Sequence, residues 1–279
     1  MKNIKKLTAL PAALLMLTGC GKADDIKAPM EMTSEKAALS VADDSEYIYC
    51  VGSVSKIYST AAIMQLAGEG KIDIDKPVTE YIPDFRLADE RYRDITVRML
   101  MDHTSGIMGS TLKNAMLYGD NDQSSHDNMT GLLSSQRLKA DPGRYAAYCN
   151  DGFVLLEIII ENVSGMSFTD YVEKNIAGRL GLENTGTPVD MIGSEKIVPA
   201  IRADNTRLDT EYCMGIGSGG VFATASDNAL FGASFFTGDN RLLSEEAKNA
   251  MATRWSDNEY GDASGLGWDY AEMPYYKAQ

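Results

Sequence analysis

Long apolar runs are scarce in this chain of 279 residues. After the N-terminal stretch from Leu7 to Leu17, none reaches the roughly 18 to 20 residues that a membrane-spanning helix needs. Histidine is scarcer still. His103 and His126 are the only two, and neither has a plausible third ligand nearby, which argues against a zinc hydrolase and leaves no metal site in prospect. Basic charge is in deficit, with 26 Lys and Arg against 40 Asp and Glu, so the surface repels phosphate backbones and nucleic acid is not an expected partner. Setting Cys20 aside leaves Cys50, Cys149 and Cys213. An odd number excludes a complete disulfide framework; one bridge is possible, and three buried thiols are the preferred reading. No G-x-S-x-G surrounds a candidate serine, which disfavours the α/β-hydrolase elbow.

A composition of 44% hydrophobic and 24% charged residues is that of a globular protein. The N-terminus reads differently from the rest. Lys2, Lys5 and Lys6 form a basic region, and Leu7 to Leu17 has the length of a signal-peptide core. That core ends in Leu17-Thr18-Gly19-Cys20, which resembles the bacterial lipobox; the resemblance implies cleavage before Cys20 and acylation of its thiol. The expected organisation is a lipoprotein signal peptide over 1–19, a lipidated Cys20 and tether over 20–45, and a catalytic domain over 46–279. Localisation follows: exported and tethered by lipid to the bacterial membrane, facing the cell envelope. Oligomeric state stays open.

Along the chain, a short strand is expected around Ala37 to Val41. Ser55 to Leu66 lacks Gly and Pro and is apolar round most of its circumference, which predicts a buried helix stopped by Gly68 and Gly70. Thr96 to Asp102, Phe153 to Val163 and Ser167 to Ile176 predict further helices, the last with Ser167 as cap. Gly109 to Gln136 is rich in Asn, Asp and Ser and reads as a mobile surface segment, with His126 exposed on it. A helix is expected from about Ser226. A mixed α/β domain around one core is the economical reading.

The chemistry starts at Ser53-Val54-Ser55-Lys56. Residues three apart on a helix share one face, so this S-x-x-K stacks a hydroxyl and an amine on adjacent turns. Burial can lower the lysine pKa until it takes the serine proton. A helix starting at the serine also aims free N–H groups at developing negative charge. The motif alone is weak, since roughly one chance match per chain is expected. Ser110 with Lys113 is such a decoy: it opens no buried helix. Tyr148-Cys149-Asn150 is the chain's only Y-x-N. Its phenol can relay protons if a neighbouring ammonium depresses its pKa, and Asn150 can hold substrate and orient Lys56. The bland alternative is a buried tyrosine with a satisfied hydroxyl. Ser226-Asp227-Asn228 competes as an S-D-N, but Ser226 is better explained as a helix cap.

Six segments carry a family resemblance. Val51 to Lys56 is similar to G-S-V-S-K, and Gly70 to Phe85 to G-K-L-x-L-D-x-P-V-x-x-Y-x-P-x-F. Leu100 to Ile107 resembles L-L-x-H-T-S-G-L, and Pro142 to Ile160 resembles P-G-x-x-x-x-Y-S-N-x-G-Y-x-L-L-G-x-I-I. Gly178 to Thr185 is similar to P-L-G-M-x-D-T, and Gly219 to Asp227 to G-G-L-x-S-T-A-x-D. Together they resemble the serine β-lactamase and penicillin-binding protein family of class C β-lactamases, D,D-peptidases, D-aminopeptidases and esterases. The resemblance implies an α+β fold, with an antiparallel sheet flanked by helices beside a mostly helical lobe. It implies acylation of Ser53, proton transfer shared by Lys56 and Tyr148, substrate binding by Asn150, a structural role for His103 and no cofactor. The implied substrate is a small molecule or a peptidoglycan-type peptide.

The chain departs from the pattern at its ends. Gly265-Leu266-Gly267-Trp268 is present, but no K-T-G or H-x-G follows it. The strand bearing that motif supplies one oxyanion N–H, whose loss costs about 2.7 to 4 kcal/mol of barrier. Gly21 to Gly52 is also short for the family's N-terminal helix and strands. A shortened chain is the favoured explanation, strands supplied by another chain the alternative. Two functions therefore stand: a serine hydrolase, or an impaired scaffold acting as a binder or sensor.

Overall fold

The computed structural model describes residues 47–111, 115–199, 206, 208–257 and 263–270. The signal peptide, Cys20, the tether, the strand expected at Ala37 to Val41 and Lys113 lie outside the described residues. In chain order, β1 (Tyr49–Cys50) leads into α1 (Ser55–Gly68), α2 (Val97–Met101) and β2 (Met116–Tyr118). Next come α3 (Ser124–Asp127), α4 (Met129–Leu133), α5 (Asn150–Ser164), α6 (Phe168–Val172) and β3 (Glu211–Cys213). The turn-like α7 (Ile216–Gly219), β4 (Phe222–Ala223), α8 (Ala225–Ala233) and α9 (Glu245–Met251) precede β5 (Ser256–Asp257), β6 (Ala263–Ser264) and β7 (Asp269–Tyr270). β1 pairs with β4, β2 with β3, and β6 with both β5 and β7, always antiparallel. Among the described residues no single helix is long and apolar enough to cross a membrane.

α1 is the axis of the molecule. Every residue from Ser55 to Leu66 is buried, as its lack of a polar face requires. Its end follows from Gly70, at φ 73°, which lets Lys71 N–H reach Leu66 C=O and Gly70 N–H reach Ala67 C=O. That pair of bonds is the Schellman stop, and only glycine enters its left-handed position without strain. α5 and α7 pack against α1, and Tyr58 of α1 stacks on Phe231 of α8 at 3.7 Å between ring centroids.

The expected helix starts are capped as the side chains dictate. Thr96 accepts from Met99 N–H and Ser167 from Asp170 N–H, each cap contributing about 1 kcal/mol. One expectation fails and another is narrowed. Thr224, not Ser226, caps α8, accepting from Asp227 N–H at 3.1 Å; Ser226 lies within the helix. Within the polar segment from Gly109 to Gln136, β2 pairs residue for residue with β3, and Met129 and Leu133 are fully buried. Its few apolar side chains are spaced too widely to register as a periodic pattern, yet they anchor it.

Candidate active site

Three constraints set Ser53 at the mouth of α1. Val51 N–H bonds to Val221 C=O at 2.9 Å, extending the β1–β4 pairing. Gly52 then turns the chain at φ 54°, where an added Cβ would meet nothing; its conformation, not space, calls for glycine. A single 3-10 turn carries Ser53 into the helix, leaving its side chain exposed while Lys56 is 3% exposed.

The Lys56 amine reaches Ser53 Oγ at 3.3 Å, Asn150 Oδ1 at 2.8 Å and the Ser218 carbonyl at 2.6 Å. Two of these three partners can only accept. When Lys56 is neutral its two N–H groups go to Asn150 and Ser218, and the lone pair is left facing the Ser53 hydroxyl. Burial lowers the Lys56 pKa to about 8, against the opposing effects of Cys213, Cys149 and Asp269. About a tenth of the amine is then unprotonated at pH 7. Asn150 is itself fixed, its Nδ2 donating to Ser110 Oγ at 2.6 Å.

Tyr148, two residues before α5, completes the group, its hydroxyl donating to Ser53 Oγ at 2.6 Å. The phenol is half exposed. Its pKa is raised by burial, the Ser53 bond opposing and the Asp269 charge adding to the rise. The relay role read from the sequence is conditional on a neighbouring ammonium depressing that pKa, and the shift runs the other way. The Lys56 amine sits over the ring, 4.8 Å from its centroid, and burial outweighs any lowering. With its pKa raised, the Tyr148 hydroxyl keeps its proton near neutrality, whereas Lys56 is partly unprotonated there.

His103 frames this tyrosine. Its carbonyl accepts from Ala147 N–H, its Nδ1 accepts from Cys149 N–H at 3.2 Å, and its ring lies 4.6 Å from the Tyr148 ring. Burial, reinforced by the charges of Lys56 and Lys139, holds its pKa down to about 3, so Nδ1 stays free to accept. A positive φ of 62° is the backbone cost of that placement.

Sequence reasoning missed several partners. Ser110, set aside as a decoy, touches Asn150 and lines a cleft of about 400 Å³ with Met108, Gln136 and Arg137. Ser218 contributes only a carbonyl, for which no residue type gives a signal. His126 is not exposed: its side chain is 11% accessible, with Nε2 3.3 Å from Glu161 and 3.7 Å from Glu157, and Nδ1 3.1 Å from Asp127. Cys50 is exposed on β1, while Cys149 and Cys213 are buried, and all three are free thiols. Ser226-Asp227-Asn228 stays apart from the cluster. Asp227 accepts from Asn184 N–H and Thr185, and Asn228 from the Tyr58 hydroxyl.

Residues 3–277 match the family model described as Beta-lactamase. The chain is 25% identical over 237 residues to the D-alanyl-D-alanine-carboxypeptidase/endopeptidase AmpH of Escherichia coli (strain K12), covering 79% of this chain and 60% of that protein. It is 26% identical over 250 residues to penicillin-binding protein 4* of Bacillus subtilis (strain 168), covering 81% and 53%. Among solved structures, the octameric penicillin-binding protein homologue from Pyrococcus abyssi superposes with a TM-score of 0.68 at 25% identity, covering 80% of this chain and 53% of that one. The D-stereospecific amidohydrolase from Streptomyces sp. gives 0.63 at 26% identity, covering 79% and 70%. The chain thus spans little more than half the length of the curated relatives it matches.

Proposed function

The chain belongs to the Beta-lactamase family, and on that footing we propose that it is a serine hydrolase forming an acyl-enzyme on Ser53 with a peptide, ester or β-lactam carbonyl. One observation carries the reading: Ser53 Oγ accepts from the Tyr148 hydroxyl at 2.6 Å while lying 3.3 Å from a buried amine of lowered pKa.

In this mechanism the neutral Lys56 amine takes the Ser53 proton as Oγ bonds to the substrate carbonyl carbon. The bond to the leaving nitrogen or oxygen then breaks, and the proton returns from the Lys56 ammonium through the Tyr148 hydroxyl to that atom. Water repeats the sequence against the ester and restores Ser53. Asn150 shares its amide between Lys56 and Ser110, and we assign it substrate binding. We also propose that Cys20 is the lipid-bearing residue and that the domain faces the cell envelope; Cys20→Ala then moves the protein from the membrane to the soluble fraction.

Labelling by a fluorescent penicillin or a fluorophosphonate tests the acylation. The native chain is expected to take the label and Ser53→Ala to take none. Equal labelling of both would sink the assignment.

A further inference from the structure

α5 touches the Lys56 amine by a second route, through side chains that the chemistry above does not use. Glu157 stands further along α5 on the face that begins with Asn150, and it is 2% exposed. Its Oε2 accepts from Gly217 N–H at 2.7 Å. The Gly217 carbonyl in turn accepts from Ser59 of α1 at 2.7 Å, so this residue is held from both sides. An added Cβ at Gly217 would lie 2.9 Å from both the Phe153 carbonyl and Ser59 Oγ, and 3.1 Å from Glu157 Cβ, so the turn is closely packed on that side. The next carbonyl along is that of Ser218, the 2.6 Å acceptor of Lys56.

A buried carboxylate needs a counter-charge, and His126 of α3 supplies it from 3.7 Å, pinned by Glu161 and Asp127. Burial opposes the imidazolium, but those carboxylates outweigh it and raise the His126 pKa to about 10. Burial pushes Glu157 up to about 7, with His126 and Gly217 N–H opposing. The other titratable groups facing Glu157 are Glu161 on its own helix and Cys213 from β3.

We propose that Glu157, held by His126, is a positioning residue for Lys56: it fixes the α7 turn so that the Ser218 carbonyl takes one amine N–H and leaves the lone pair aimed at Ser53. The function of that lone pair rests on the serine hydrolase reading; the effect on the amine does not. A hydrogen bond to the charged form of a group raises the pKa of a base. Loosening the Ser218 acceptor therefore lowers the pH at which Lys56 titrates, a change that simple destabilisation would not produce.

The experiment follows the Lys56 amine by NMR in the full chain, made with isotopically labelled lysine and assigned with Lys56→Arg. Glu157→Ala is expected to move the Lys56 titration to lower pH. Glu157→Gln, which keeps an acceptor oxygen for Gly217, is expected to leave it near the native value. Penicillin labelling should slow by about tenfold to 100-fold in Glu157→Ala alone, the scale of a sub-ångström to ångström misplacement. Should Glu157→Ala not fold, His126→Gln replaces it, displacing the titration in the native background and not in Glu157→Gln. The proposal is overturned if the folded Glu157→Ala titrates like the native chain, if Glu157→Gln is displaced as far as Glu157→Ala, or if His126→Gln has no effect in either background. A native chain that no probe acylates would remove the hydrolase reading, and the Lys56 titration would still decide this one.

Discussion

Lys56 and His126 are two cations buried against one helix, the first on Asn150 at the start of α5 and the second on Glu157 and Glu161 further along it. Both lose solvation, yet their pKa values shift in opposite directions: Lys56 falls to about 8 and His126 rises to about 10. The difference lies in the partners. Lys56 meets hydroxyl and carbonyl oxygens, which hydrogen-bond its amine without carrying the charge that would repay desolvation, and it sits at the positive end of α5. His126 meets three carboxylates. Neutral acceptors make a base that can give up its proton near neutrality, whereas carboxylates make a permanent strut. Burial alone does neither.

The sharpest way to break the comparison is to remove the poised amine. Lys56→Ala should slow acylation of Ser53 by about 1,000-fold, within the range for losing a general base. In the native chain the rate should climb with pH as the ammonium deprotonates and level off above about 8. A native profile flat between pH 6 and pH 9 would mean that Lys56 is not the titrating base.

On the His126 side the effect is on stability, and its sign is fixed by linkage. The folded pKa is about 10 against an ordinary 6.5, so the stabilisation is full below 6.5 and is lost as pH rises through 10. His126→Ala should cost about 3 kcal/mol at pH 8, where Glu157 is ionised and His126 is still charged, the low end for breaking a buried pair. Denaturant titrations of the two proteins should converge above pH 10. A cost independent of pH would show that packing, not charge, is what His126 supplies.

Tyr148→Phe sharpens the contrast from the other side of Ser53. It removes the donor at 2.6 Å and leaves the ring that packs on His103 and under Lys56. Acylation should fall by about 100-fold, with the pH at which the rate levels off unchanged. If that pH also moved, the phenol would be part of the base and the division of roles drawn above would be wrong.

The same contrast explains what could be read from the sequence. α1 was legible because Ser55 to Leu66 is apolar on every side and two glycines end it, and the i, i+3 spacing of Ser53 and Lys56 needs only helix geometry. Tyr148 with Asn150 was legible as a motif. The features that set the two pKa values were not. Ser218 acts through its backbone, so any residue would serve as far as the sequence shows. His126 lies in a polar stretch whose carboxylate partners Glu157 and Glu161 come from a distant helix, and a charged residue among Asn and Asp looks like surface. Ser226 and Thr224 have similar local propensity to cap, and only the packed structure shows that Thr224 makes the bond. Short-range patterns disclose elements; partners brought together by tertiary packing do not announce themselves.

Ser110 offers the smallest and most discriminating test. It was judged by local context, because it opens no buried helix, and that context was the wrong criterion. Its hydroxyl is placed by Asp151, which accepts from the N–H and hydroxyl of the adjacent Thr111, and it receives the Asn150 amide N–H at 2.6 Å. Without it, Asn150 Nδ2 has water as its partner, and the amide can turn its nitrogen toward Lys56. A donor then faces a donor, and the amine loses one of the two acceptors that direct its lone pair. The loss is about that of one neutral hydrogen bond transmitted through a single side chain, so Ser110→Ala should slow acylation by about threefold. Ser110→Thr, which keeps the hydroxyl, should restore the rate. A Ser110→Ala enzyme acylated as fast as the native chain would mean that Asn150 is oriented by Lys56 alone, and the neutral-acceptor side of the comparison would then rest on Ser218.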